Sequence, residues 1–258
     1  MLLIVQPAIL TTSIAILQAF KKVSFLSPAW VAGHSLGEYS ALVAAEGIPL
    51  KSAISLVAKR GELMQHAVPE GKGAMAAILG LDRSRVEELC SGLESIGVVS
   101  PANYNTPEQI VIAGDRKGVE AASQKAIDAG AKKVIPLSVS VPSHCRLMDP
   151  AARELEKEIE KIPFSDLKIG LVNNVEAKGL KKKEEIKTSL IRQVSSPLLW
   201  VDTILYMTGK GVKTFVEIGP GRVLSGLIKR IDRQVEVLSV EDPETLEKTV
   251  GRLKEITG

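Results

Sequence analysis

Five residues, Gly33-His34-Ser35-Leu36-Gly37, carry the clearest chemical signal in the chain. An apolar run, Ala29–Ala32, leads into them, and a helix-like segment, Glu38–Ala45, leads out. A strand, a Gly-x-Ser-x-Gly turn and a helix form a nucleophile elbow, in which a tight turn lifts the serine Oγ off the top of a sheet. The turn is so sharp that small residues must flank the serine. The helix that follows points the positive end of its dipole at the same spot, and the N–H of Leu36 is placed to stabilise an oxyanion. This arrangement predicts acyl transfer or ester hydrolysis through Ser35.

A serine hydroxyl needs a base, and the chain offers three histidines, His34, His66 and His144. His34 adjoins the serine inside the turn, so its side chain should point away from Oγ and serve a structural or positioning role. His66 ends a helix, where a contact with the last carbonyls accounts for it. His144 lies in Val139–Cys145, a strand-to-helix crossing, and is the base by location and elimination. No acid is marked to orient it, and a backbone carbonyl accepting from its other ring nitrogen would serve. Arg60, 25 residues after Ser35, reads as an ordinary solvated helix arginine unless the acyl group bears a carboxylate, which a guanidinium fork holds bidentately.

The elements around these residues form an α/β pattern. The segment Pro7–Lys21 predicts a helix, Pro28 opens the elbow strand, Gly47 and Pro49 end the elbow helix, and Leu50–His66 predicts another helix carrying Arg60 and Met64. Residues 72–138 then read strand (Ala74–Leu79), helix from an Asp82 cap to Leu93, strand (Val98–Ala102), strand (Gln109–Ala113), helix (Gly118–Ala129) and strand (Lys133–Leu137). That βαββαβ order is ferredoxin-like. Between the second and third strands, Asn103-Tyr104-Asn105-Thr106-Pro107 reads as a loop. The remainder alternates helices (150–161, 183–194, 200–208, 223–231, 243–256) with short apolar strands (169–173, 214–218, 235–240), as a buried parallel sheet requires. The expected architecture is a parallel-sheet α/β-hydrolase-like domain, residues 1–71 and 139–258, interrupted by a ferredoxin-like subdomain at 72–138.

Composition limits the alternatives. Of 258 residues, 45% are hydrophobic and only 3% aromatic, so the core is aliphatic and a base-stacking nucleic-acid surface is not expected. A net charge of +3 is too weak for nucleic acid and suits an acidic ligand or partner. Two cysteines, Cys90 and Cys145, form no framework, which fits a reducing cytoplasm. No 18 apolar residues run uninterrupted, so no membrane span is expected, and Met1–Val5 lacks the basic flank of a signal peptide.

Several strings together resemble one family. Gln6-Pro7-Ala8-Ile9-Leu10-Thr11, the elbow through Tyr39, Arg60-Gly61-Glu62-Leu63-Met64-Gln65, Pro101–Asn105, Ser140-Val141-Pro142-Ser143-His144, Val172-Asn173-Asn174-Val175, Gln193–Pro197 and Glu217-Ile218-Gly219-Pro220-Gly221 resemble the malonyl-CoA:acyl carrier protein transacylases of fatty acid synthesis, in order and over essentially the whole chain. The resemblance implies that Ser35 is acylated, that His144 is its base, that the main-chain carbonyl of Gln193 orients His144, and that Leu36 donates to the oxyanion. It implies that Arg60 pairs with the malonyl carboxylate, and that His34, Met64, Asn103, Asn105 and Ser143 lie at the substrate site, the two asparagines in a loop at its mouth. Asn103 and Asn105 read equally well as turn residues before Pro107. Malonyl-CoA and acyl carrier protein are the implied substrate and partner, with no metal or cofactor.

Family members also begin with a strand and a Gly-Gln-Gly-Ser-Gln loop that supplies a second oxyanion donor. Neither is found here, so the chain is expected to be an N-terminally truncated member. Two other readings remain. A serine esterase would need an acid before the histidine, for which Asp115 and Asp128 are available. A carrier-binding homologue without activity would use basic surface such as Lys178, Lys181, Lys182, Lys183, Lys229 and Arg230.

Overall fold

The computed structural model describes residues 2–24, 26–139 and 141–257; Met1, Phe25, Ser140 and Gly258 lie outside them. The first helix, α1 (Leu2–Val23), begins earlier than Pro7 and runs through it. The ring removes one intrahelical hydrogen bond, yet the helix persists because its inner face packs against α3 (Leu50–His66) and α2 (Leu36–Ala44). The crossing is close: a Cβ at Gly61 would lie 2.6 Å from the Leu2 carbonyl oxygen, so only glycine fits there. By length and composition alone α1 could cross a membrane. Here it buries Gln6, Leu10, Ser13, Ile14 and Phe20 against the protein. Leu10, Ile14, Tyr39, Leu42, Leu56 and Val57 share one buried cluster with Leu155, Ile159 and Leu190. Truncating any large side chain in it is expected to destabilise by roughly 2–5 kcal/mol.

The elbow strand β1 (Trp30–Ala32) pairs in parallel with β6 (Gly170–Val172), and β6 pairs antiparallel with a short β7 (Gly179–Leu180) that the sequence pattern did not mark. Strands β8 (Thr214–Ile218) and β9 (Glu236–Val240) form a separate parallel pair. The core is thus α/β with parallel pairing at its centre, flanked by α6 (Asp149–Ile159), α7 (Lys183–Gln193), α8 (Trp200–Gly209), α9 (Val223–Ile231) and α10 (Pro243–Thr257). The stop after α2 falls one residue earlier than Gly47: Glu46 adopts the left-handed turn (φ 62°), and the Gly47 N–H closes on the Leu42 carbonyl.

Between the two parts of this core stand β2 (Gly73–Leu79), α4 (Arg83–Ser91), β3 (Val99–Thr106), β4 (Gln109–Asp115), α5 (Arg116–Asp128) and β5 (Lys133–Pro136). Asp82 caps α4, its carboxylate accepting from the Arg85 N–H at 2.9 Å. The sheet order is β3-β4-β2-β5, antiparallel throughout. Strand alternation splits its side chains. Ala76, Ile78, Ile110 and Ile112 face α4 and α5, while Met75, Ala77, Val111 and Ala113 pack on Cys145. The second face therefore buttresses the segment that carries His144.

The expected loop at Asn103–Thr106 is instead the last half of β3. Both backbone edges there are occupied. One side pairs with β4; on the other the Tyr104 N–H donates to the Leu198 carbonyl at 2.9 Å and the Leu198 N–H to the Ala102 carbonyl at 2.8 Å. Partners on both sides outweigh the turn preference of asparagine, and two irregularities in the β3–β4 register absorb the misfit. The turn shrinks to Pro107 and Glu108.

Candidate active site

Ser35 sits between β1 and α2 with φ 53° and ψ −106°, a strained backbone for a residue with a side chain. Gly33 permits the turn, because a Cβ there would lie 2.0 Å from the Gly37 carbonyl carbon. Asn174, wholly buried just after β6, ties the two ends of the turn together. Its Oδ1 accepts from the Ser35 N–H at 2.8 Å and its Nδ2 donates to the Gly33 carbonyl at 2.8 Å. Leu36 opens α2, so its N–H has no acceptor within the helix.

His144 is 3% exposed and also strained, with φ 62°. Its Nδ1–H donates to the Gln193 main-chain carbonyl at 2.8 Å, which fixes the tautomer and leaves Nε2 as the acceptor facing Ser35 Oγ at 2.9 Å. Gln193 is the last residue of α7, where carbonyls lack intrahelical donors and are free to accept. Burial first, and then the Arg60 charge, hold the imidazole down to about 3, so the base is neutral at every ordinary pH. Asp115 and Asp128 bond elsewhere, to the Val98 N–H and to Gln124, and among the described residues the ring nitrogens of His144 meet a carbonyl and a hydroxyl rather than a carboxylate.

Arg60 corrects the solvated reading: it is 1% exposed. Its Nη2 donates to Ser35 Oγ at 3.0 Å and to Gln193 Oε1 at 3.1 Å, and its Nη1 donates to Gln6 Oε1 at 2.8 Å. The guanidinium also lies over the Tyr39 ring, 5.4 Å from its centre. Segments far apart in sequence enclose it: Gln6 on α1, Ser35 and Tyr39 at the start of α2, and Gln193 on α7. Burial lowers its pKa, yet a guanidinium stays charged. Among the described residues no carboxylate comes within ion-pair distance of it.

The remaining expected site residues divide. His34 turns from Oγ to Asn105, Nε2 to Oδ1 at 2.8 Å, with its ring edge-on to Trp200; burial lowers its pKa and keeps it neutral. Asn105 therefore anchors the elbow from β3, while Asn103 is buried in that strand, so neither lies in a mouth loop. Met64 is buried beside Gln6, its sulfur 3.8 Å from Gln6 Nε2. Ser143 is half-buried next to the base, its N–H bonded to the Val141 carbonyl. His66 meets the Glu62 carbonyl at 2.9 Å, the helix-end contact expected of it. Three residues at the site have no role that the sequence assigns: Gln6, Glu38 and Asn174. Glu38 had a usable signal, an acid set among the apolar residues of a short helix. Gln6 and Asn174 had none beyond their motifs, because long-range packing gives them their partners.

Comparisons with known proteins give the family. Residues 2–255 match the acyl transferase domain family. The malonyl CoA-acyl carrier protein transacylase of Bacillus subtilis is 48% identical over 251 residues, covering 97% of this chain and 79% of that protein. The structure of the Coxiella burnetii malonyl CoA-acyl carrier protein transacylase superimposes with a TM-score of 0.95 at 42% identity, over 98% of this chain and 80% of that one. A malonyl-transacylase solved in complex with a type II polyketide synthase acyl-carrier protein does so with 0.95 at 45% identity, over 97% and 81%. This chain belongs to the acyl transferase domain family.

Proposed function

We propose that this chain is an acyl-carrier-protein S-malonyltransferase, moving malonyl from malonyl-CoA to the phosphopantetheine thiol of acyl carrier protein in fatty acid synthesis. The observation that carries the choice of acyl group is Arg60. A buried guanidinium 3.0 Å from the nucleophile, with no carboxylate against it among the described residues, is a site awaiting an anion. Leaving such a charge unpaired costs several kcal/mol, roughly 3–5 when a buried pair is broken. A malonyl carboxylate on Arg60 removes that penalty; an acetyl methyl does not. The Bacillus subtilis relative, 79% of which is spanned by this chain, is a malonyl transacylase, and one structural relative was solved with an acyl-carrier protein.

The reaction follows from the contacts. Ser35 Oγ attacks the thioester carbonyl as its proton passes to His144 Nε2. The Leu36 N–H, at the positive end of α2, supports the oxyanion, a contribution whose loss typically lowers the rate by roughly 10²–10³-fold. The C–S bond then breaks, the proton moves from His144 to the departing sulfur, and coenzyme A leaves a malonyl ester on Ser35. The carrier thiol repeats the sequence, giving its proton to His144, attacking the ester and returning the proton to Ser35 Oγ. The Gln193 carbonyl holds the imidazole for both halves. His34, Met64, Asn103, Asn105 and Ser143 line or support the acyl site.

On this reading residues 72–138 are a ferredoxin-like subdomain set into a catalytic domain of residues 1–71 and 139–258. The cytoplasm is the assigned compartment, which suits two free, buried cysteines. Mass spectrometry of the intact protein after mixing with malonyl-CoA tests the function. One malonyl group should be gained, should be absent in Ser35→Ala, and should be discharged by holo acyl carrier protein. A protein that never gains malonyl, or that loses it to water at the same rate with or without carrier, refutes the proposal.

A further inference from the structure

Glu38 is the only buried carboxylate among the described residues, and the steps above give it nothing to do. It is the third residue of α2, two after Leu36. Its Oε2 accepts from Gln193 Nε2 at 2.9 Å and from the Asn174 N–H at 3.0 Å, while its Oε1 has no partner. Gln193 Nε2 also donates to the Ser35 carbonyl at 3.0 Å, and Gln193 Oε1 accepts from Arg60. Asn174 holds the Ser35 N–H. Glu38 therefore reaches the backbone of the nucleophile by two routes and the guanidinium by one.

Resting on the malonyl reading, we propose that Glu38 is a positioning residue that sets the Ser35 elbow and the Arg60 fork together through Gln193 and Asn174, and that, as Arg60's distant counter-charge, it ties selection of a carboxylate-bearing acyl group to its own protonation. In the free site one buried cation and one buried anion are joined through the Gln193 amide. A malonyl carboxylate on Arg60 leaves that region one charge too negative. Linkage then makes malonyl binding favour a proton taken from solvent onto Glu38, whose orphan Oε1 is free to receive it. An acetyl group brings no charge and has no such coupling.

The surroundings make the effect readable. Burial raises Glu38 to about 7, against the lowering pull of Gln193, the Asn174 N–H and Arg60. Tyr39 beside it is held up to about 12 and His144 down to about 3, each chiefly by burial, and His34 is likewise lowered. Gln193 on α7 and Asn174 after β6 carry no charge. Between pH 6 and pH 9 Glu38 is thus the site group that titrates.

The test is kcat/KM for malonyl-CoA and for acetyl-CoA across that range, because their ratio cancels ionisations common to coenzyme A and carrier. In the wild type the malonyl-to-acetyl ratio should fall about tenfold from pH 6 to pH 9, the change that a one-unit shift of Glu38 by the malonyl charge produces. In Glu38→Gln, which keeps an oxygen for Gln193 and Asn174, the ratio should be flat. A wild-type ratio constant within twofold overturns the proposal whether or not the variant folds, and so does a variant that keeps the wild-type slope. Failure of the wild type to take malonyl onto Ser35 at all would instead overturn the functional reading.

Discussion

Asn174→Ala isolates what holds the nucleophile in its strained turn. The substitution removes two 2.8 Å hydrogen bonds, one from the Ser35 N–H and one to the Gly33 carbonyl. Gly33 is buried, so its carbonyl stays unpaired at about 1–3 kcal/mol; the half-exposed Ser35 N–H can turn to water at about 1 kcal/mol. The sum, roughly 2–4 kcal/mol, corresponds to a Tm lower by roughly 5–15 °C in a chain of this size. The Ser35 backbone itself stores about 1–3 kcal/mol at its positive φ. Without the tether that strain pulls Oγ off the line between His144 and the thioester, and a displacement of about 1 Å lowers kcat about 10²-fold. Asn174→Asp is the informative partner. It keeps an oxygen for the Ser35 N–H but sets a second oxygen against the Gly33 carbonyl and adds charge beside Glu38, so it should be no more stable than the alanine variant and should worsen above neutral pH. Thermal denaturation and steady-state transfer to carrier measure both effects. If Asn174→Ala loses less than about 2 °C and less than about threefold in kcat, the turn is held by its own glycines and the tether argument is wrong.

Three further outcomes follow from the same contacts. Arg60→Met, which keeps apolar length and removes the charge, should lower kcat/KM for malonyl-CoA roughly 10²–10⁴-fold, the equivalent of a broken buried pair, while acetyl-CoA is used at least as well as before; an unchanged malonyl preference would assign selectivity elsewhere. Gly33→Ala should abolish folded, active protein, since its Cβ meets the Gly37 backbone at 2.0 Å, whereas Gly37→Ala, with open space around its Cβ, should fold with a Tm within a few degrees of wild type; soluble expression and a melting curve separate them. Stability against pH should show two opposed contributions. His144, depressed from 6.5 to about 3, binds its proton only when unfolded over that window, so stability is lost as pH falls below about 6.5. Glu38, raised from 4.5 to about 7, binds its proton preferentially when folded, so its contribution is lost as pH rises from 4.5 to 7. His34, also lowered by burial, adds to the loss on acidification, so the wild-type Tm should fall between pH 6.5 and 4.5, and Glu38→Gln, which removes the one opposing contribution, should fall more steeply; parallel curves would contradict it.

Local chemistry made much of this fold legible. Short β-branched runs, the Asp82 cap and the glycine turns located β2, α4, β4, α5 and β5 to within a few residues, and the elbow announced itself because few other turns need glycine two residues either side of a serine. What the sequence hid is what distant segments supply. Arg60 looked solvated because its chain neighbours, Lys59 and Glu62, are charged and pair on the surface; residues distant in sequence, Gln6, Tyr39 and Gln193, enclose it. Asn103 and Asn105 carried turn chemistry, and Leu198, 95 residues beyond Asn103, supplied the second edge that made them strand. Leu2–Val5 lay on the far side of the proline from which the helix was expected to start, but packing on α3 extends the helix through it.

Gln193 explains how these distant pieces act together. It touches the base through its main-chain oxygen, and the nucleophile's carbonyl, Arg60 and Glu38 through its amide. Both roles depend on its place as the last residue of α7. A carbonyl in the helix interior would be occupied, whereas the final turn leaves its oxygens free and concentrates the negative end of the dipole there. That end lies against His144. Burial and Arg60 disfavour the imidazolium in the resting site, which keeps the base neutral and ready. The α7 terminus favours the same cation once Ser35 gives up its proton. The helix end therefore stabilises the charged state that appears only as the oxyanion forms, and interactions made only then are the ones that accelerate a reaction. Shortening α7 by its last turn would leave the sequence of nucleophile, base and guanidinium intact and still remove the element that brings the three into register.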